Sequence, residues 1–223
     1  PEPLADFIDF FSLGEGEEIT KEILACYRQA KKDGCTKQEF LLRVSKIDGV
    51  YVPSFYDHSY NPDGTLAAIT PKNGAPARVR KRIVQDMDRS FFPTKTIVPS
   101  TEIVHDRTNL EIFRGCIRGC RFCQAGFCYR PVRAKSVDTL CRQAIDSLED
   151  SGNSEMTLAS LSTSDYRNLP ELADRLLSYC EPRKINLSLP SLRADNFSRD
   201  LMLRVQKVRK SGLTFAPEAG SQR

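Results

Sequence analysis

Three cysteines in the stretch Glu111–Cys128, EIFRGCIRGCRFCQAGFC, are the residues best suited to chemistry. Cys116, Cys120 and Cys123 follow a C-x3-C-x2-C spacing. Thiols so close in sequence are expected to converge, and convergent soft thiolates select Fe–S clusters, Zn or Cu(I) over Mg or Ca. A trio matters because a cubane has one more iron than three cysteines can ligate. A site with an open coordination position can bind a substrate, whereas a closed four-ligand site is usually structural.

Other chemistries have less support. The chain has two histidines, His58 and His105, far apart in sequence, which argues against a His-rich metal site or a Ser/His/Asp arrangement. The net charge of +4 on 223 residues is mildly basic and does not by itself imply nucleic acid. The basic run Arg78–Arg82 lacks interleaved aromatics and reads as the solvated face of an extended strand, with Val79, Ile83 and Val84 inward. No apolar run approaches the length of a membrane span. Eight cysteines, three in one loop and the rest scattered, favour a reducing cytosol and metal-bound thiols over disulfides.

The elements that must position the cysteine loop can be read on both sides of it. Upstream, Ile19, Ile23, Cys26, Tyr27 and Ala30 share a helical face, with Gly34 as a stop. Thr36 and Glu39 form a capping box for a second helix carrying Phe40, Leu41, Val44 and Ile47. Val50–Val52 lead to a strong turn at Asn61–Gly64 and then to Leu66, Ala67 and Ile69, so a β-hairpin is expected. Phe91 to Pro99 reads as a connector. Residues 109–114, NLEIFR, read as a strand running into the loop.

Downstream the pattern alternates. Ser136 caps a helix with Val137, Leu140, Ala144, Ile145 and Leu148. Met156–Leu161 is a strand, followed by the polar run Ser162–Asp165. A helix opens at Asn168, Ile185–Leu189 is a strand followed by Ser191 and Arg193, and Ser198 caps a further helix. Leu213–Ala216 is a last strand, ending at Pro217 and Glu218. Such alternation predicts parallel β/α units, whose ligands sit beyond the C-terminal strand ends. The cysteine loop, Ser162–Asp165, Ser191–Arg193 and Glu218 all fall there. The chain stops just past a strand, so a barrel truncated at its C-terminus is expected.

The motif Cys116-x3-Cys120-x2-Cys123, with Phe122 before the third cysteine, resembles the signature of the radical S-adenosylmethionine (radical SAM) superfamily. The longer text IVHDRTNLEIFRGCIRGCRFCQAGFCYRPVR, together with PEPLADFIDFF, is similar to uncharacterised radical SAM proteins with an N-terminal cobalamin-binding-like domain. The resemblance implies an α/β fold, with a partial (β/α) barrel of radical SAM type preceded by a small α+β segment. On it, residues 1–34 would be the tail of the cobalamin-binding-like domain. Residues 35–104 would be a linker with a helix and a β-hairpin, and residues 105–223 the N-terminal part of the barrel. Cys116, Cys120 and Cys123 would hold a [4Fe–4S] cluster, and SAM would chelate the remaining iron. Phe122 would lie near the adenine. Thr163, Ser164 and Asp165 would stand where relatives bind the SAM amino group through a Gly-Gly-Glu segment, although the glycines are absent here. Arg193 and Glu218 would contact SAM ribose or carboxylate.

The activity implied is reductive cleavage of SAM to a 5′-deoxyadenosyl radical, which abstracts a substrate hydrogen. That implies an electron donor such as flavodoxin or ferredoxin, a cytoplasmic setting and, in relatives of this kind, cobalamin. Two rivals stand beside it: a methylthiotransferase-like modifier of RNA or protein, and a structural Fe–S or Zn module that uses Cys128 as fourth ligand. The Asp-x-His-x-x-Gly loop that grips cobalamin in some relatives does not occur in these residues.

Overall fold

Hydrophobic spacing and caps set the helices of this chain. In the computed structural model, which describes residues 1–101, 103–196, 198–209, 215–217 and 220, they fall close to where the sequence places them. Contacts divide the chain into two compact units, Pro1–Gln85 and Asp86–Arg223.

In the first unit, β1 (Phe11–Ser12) precedes helix α1 (Gly16–Lys32), which ends ahead of Gly34. Helix α2 (Lys37–Val44) opens on the expected reciprocal cap: Thr36 accepts from the Glu39 amide while Glu39 reaches back to the Thr36 amide at 2.7 Å. Ile19, Leu41, Val44, Val52 and Phe55 form the core of this unit. Two readings need correction. Val50–Tyr51 is not the first arm of the hairpin; as β2 it pairs antiparallel with β1. The hairpin arms are β3 (Tyr56–Tyr60) and β4 (Leu66–Pro71), joined by the Asn61–Gly64 turn. Pro53 explains the shift: it starts a 3₁₀ turn at Pro53–Phe55 that breaks the strand. Nor is Arg78–Arg82 a strand. Arg82 forms an isolated bridge with Gly14, and its guanidinium lies 2.6 Å from Glu22 and 3.1 Å from Glu18 on α1.

In the second unit, β5 (Thr108–Glu111) turns at Ile112 into β6 (Phe113–Arg114), so the predicted single strand is two. Arg114 folds back on Glu111 at 2.8 Å across that turn. After the cysteine loop come the short helix α3 (Ala125–Cys128), β7 (Arg133–Ala134), α4 (Val137–Ser151), β8 (Glu155–Ala159), α5 (Leu169–Cys180) and β9 (Asn186–Ser188). β10 (Leu192–Arg193), α6 (Arg199–Val205) and β11 (Phe215–Ala216) complete it. Strands β5, β8 and β9 form a parallel sheet in the order β5-β8-β9, and β10 pairs parallel with β11. Three successive residues of β8, Met156, Thr157 and Leu158, are buried, as expected for a strand covered on both faces. Ser136 and Ser198 cap α4 and α6 as read, accepting from Thr139 and Leu201 amides.

Leu110, Leu140, Met156, Leu158, Leu172 and Leu187 meet in one core between helices and sheet, all fully buried. Leu172→Ala empties that core and is expected to cost ~2–5 kcal/mol, read as a lowered urea midpoint. No described helix is long and apolar enough to cross a membrane.

Candidate metal centre

A short antiparallel ribbon carries the cysteine loop. β6 pairs with β7 in the register Phe113↔Ala134 and Arg114↔Arg133, so residues 115–132 form a loop closed at its base. The Cys116 amide donates to the Tyr129 carbonyl at 3.1 Å, one step beyond the pairing. The stem is anchored below: the Lys135 amide donates to the Ile112 carbonyl, and Tyr166 Oη donates to the Lys135 carbonyl at 2.8 Å. The Tyr166 ring stacks on Phe113. Burial pushes the Tyr166 phenol up to about 12, so it remains a donor throughout the physiological range.

Two glycines let the loop fold on itself. Gly115 has φ +97, and a Cβ there would lie 2.8 Å from the Tyr129 and Pro131 carbonyl oxygens. Gly126, in α3, has its backbone against the Arg118 carbonyl; a Cβ would come within 2.3 Å of that oxygen. Arg130 Nε donates to the Gly126 carbonyl at 2.5 Å. These contacts lay α3 against the Cys116–Cys120 segment, a packing that the motif spacing did not reveal.

The sulfurs take separate partners. Cys116 Sγ accepts from the Arg118 amide at 3.4 Å, and Arg193 Nη1 lies 4.0 Å from Cys120 Sγ. The Cys123 amide donates to the Cys120 carbonyl at 3.0 Å, forming a turn. Among the described residues no group of three or more His, Cys, Asp or Glu side chains stands in a metal-holding arrangement. A thiol is a weak hydrogen-bonding group, and metal–sulfur bonding supplies the free energy that gathers ligands. The donor set nevertheless fits a thiolate-bound metal. All three cysteines are half-buried and in no disulfide, and an amide and a guanidinium are directed at two of the sulfurs. Cys128 is exposed at the end of α3.

The strand ends meet this loop. After β8, Thr163–Asp165 forms a 3₁₀ turn. Thr163 is fully buried, its hydroxyl 3.1 Å from Ser160 Oγ and its amide donating to the Ser191 carbonyl. Ser164 Oγ accepts from the Arg193 amide at 3.4 Å. Asp165 is gripped by Arg118 through Nε at 3.0 Å and Nη2 at 2.5 Å. Arg118 holds the Asp165 carboxyl below the usual carboxylate range, and Arg193 does the same for Asp195. Arg193 clasps Asp195 with both Nε and Nη2 at 2.9 Å, and Asp195 also lies 3.8 Å from Arg118. The predicted residues Ser164, Asp165 and Arg193 thus join Cys116 and Cys120 in one neighbourhood. Phe122 is on the loop but 72% exposed. Glu218 lies outside the described residues. Sequence reasoning missed Arg118 and Asp195: the first lies inside the motif, between two cysteines, while the second carries no sequence signal.

Residues 1–53 match a family model described as radical SAM proteins, N-terminal. The fold also resembles that of TsrM from Kitasatospora setae, a radical S-adenosylmethionine methyltransferase solved with cobalamin and a [4Fe-4S] cluster bound. Its TM-score is 0.55 at 13% identity, over 96% of this chain and 39% of that one. The match to radical SAM proteins covers about the first quarter of the chain, and the cysteine loop lies beyond it. TsrM with tryptophan and a SAM analogue bound gives a TM-score of 0.50 at 12% identity, over 94% of this chain and 37% of the other. At these identities the likeness concerns the fold. An uncharacterized protein of Methanocaldococcus jannaschii is 39% identical over 99% of this chain, which spans 40% of that relative's length.

Proposed function

We propose that this chain carries the cluster- and SAM-binding core of a cytoplasmic radical SAM enzyme, built on a partial (β/α) barrel. Cys116, Cys120 and Cys123 would hold a [4Fe–4S] cluster and leave one iron for SAM. When bound, the pair supplies a reducing electron and a radical able to take a hydrogen atom from a substrate. The observation that carries this reading is the junction of loop and strand ends: Arg193 reaches Cys120, and Arg118 reaches Asp165.

The chain's own residues would bind, orient and shield. Arg193, its side chain 15% exposed beside Cys120, places a fixed positive charge next to a sulfur that would carry negative charge. Asp165 keeps its charge through neutral pH because Arg118 lowers its pKa, so the carboxylate would accept a substrate ammonium beside that arginine. Thr163 and Ser164 are committed to Ser160 and Arg193, which makes them supports for the turn that presents Asp165. The exposed Phe122 ring offers a face for the adenine, and Glu218 completes the proposed SAM contacts. A one-electron donor such as flavodoxin or ferredoxin would reduce the cluster. TsrM is described with cobalamin bound; in this chain His58 lies 3.1 Å from Glu2 and His105 3.2 Å from Arg107. No step here runs through cobalamin.

Full-length protein, reconstituted without oxygen and given dithionite and SAM, is expected to release 5′-deoxyadenosine or methionine. Liquid chromatography with mass detection reads either product. Neither product from protein that retains its cluster would overturn the reading.

A further inference from the structure

We propose that Arg118 is a positioning residue: its guanidinium, gripping Asp165, clasps the cysteine loop to the strand ends and so fixes where the sulfurs of Cys116 and Cys120 stand. This inference rests on the cluster-binding reading above and adds a role that the motif itself does not state.

Three observations carry it. First, Arg118 lies between Cys116 and Cys120, and its amide donates to Cys116 Sγ at 3.4 Å, which ties its backbone to that sulfur. Second, the side chain makes a two-pronged contact, 3.0 and 2.5 Å, with a carboxylate whose side chain is only 11% exposed. Exposed ion pairs contribute little, but a bidentate arginine–carboxylate pair whose carboxylate is largely dehydrated is both stronger and directional. Third, the contact has a frame behind it. Asp195, held bidentately by Arg193, stands 3.8 Å from Arg118, and Arg193 in turn lies by Cys120 Sγ. The Gly126 backbone lies directly beneath the Arg118 carbonyl. Arg118 is therefore fixed from below by α3 and at its tip by the turn after β8. Lysine could supply the charge but not the fork.

The test compares wild-type full-length protein with Arg118→Ala, Asp165→Asn and the exchanged pair Arg118→Asp with Asp165→Arg. The metal-free proteins are pulsed with iodoacetamide without oxygen, and peptide mass spectrometry scores each cysteine. Cys141 and Cys180, 7% and 0% exposed in the core, serve as internal controls. Each single change should label Cys116 and Cys120 roughly tenfold faster, the size expected when a charge-assisted contact that limits local opening is lost. The controls should not change, and the exchanged pair should recover most of the protection. In loaded protein the same single variants should lose iron to a chelator faster than wild type.

Wild-type labelling rates in both single variants would overturn the clasp. So would acceleration that extends equally to Cys141 and Cys180, which would mark general unfolding, or an exchanged pair that restores nothing. Should Arg118→Ala fail to fold, Asp165→Asn, which preserves shape, tests the same contact from its other side. Wild-type protein that takes up no iron would defeat the cluster-binding reading alone, because the labelling comparison is made on metal-free chains.

Discussion

Cys120→Ala protein, reconstituted without oxygen, should retain almost no iron, whereas Cys128→Ala should hold as much as wild type. Cys120 lies at the centre of the C-x3-C-x2-C trio, next to Arg193 from β10. Its removal leaves two thiols, too few for a stable cubane corner set, and metal affinity depends steeply on ligand number. Cys128 sits exposed at the end of α3, beyond the segment that faces the strand ends. Iron and acid-labile sulfide assays read both proteins, at about four irons per chain for an intact cubane. Zinc in place of iron, lost on Cys128→Ala, would instead identify a closed structural site of four thiolates.

The second large effect is expected at Gly126. A methyl group there would meet the Arg118 carbonyl oxygen at 2.3 Å, and that oxygen belongs to backbone, so α3 and the Cys116–Cys120 segment must separate. Overpacking of this kind costs ~1–3 kcal/mol, and here the cost falls on the loop rather than on the core. Gly126→Ala should therefore reduce iron retention severely while the urea midpoint set by the β5-β8-β9 core moves little. Gly119→Ala is the matched control: a Cβ there meets nothing within 4 Å, and the variant should load iron normally. Equal loading of the two variants would show that the contact under Arg118 has no bearing on the metal centre.

These two cases also show what the sequence could and could not supply. Periodicity and caps located the helices, because they depend on local spacing: Ser136, Ser198 and the Thr36–Glu39 pair cap where their side chains can reach an amide. The parallel pairing of β5, β8 and β9 followed from strand–helix alternation. Readings failed where a tertiary partner overrode local pattern. β2 pairs with β1 rather than with a hairpin neighbour, Arg82 leaves an expected strand to meet Glu18 and Glu22, and NLEIFR breaks where Phe113 must turn to meet Ala134. At the candidate metal centre the spacing singled out the cysteines, and strand-end logic brought Ser164, Asp165 and Arg193 to their side. Arg118 and Asp195 were invisible because an arginine or an aspartate in a loop carries no periodic signal. Only the fold shows which charge each one meets.

The proposed activity depends on an iron left unligated by protein. Its most direct test is electron paramagnetic resonance of the dithionite-reduced protein before and after SAM is added. A reduced [4Fe–4S] signal whose g-values shift when SAM arrives is the predicted result. Absence of a cubane signal, or a cubane signal that SAM leaves unmoved, would contradict it.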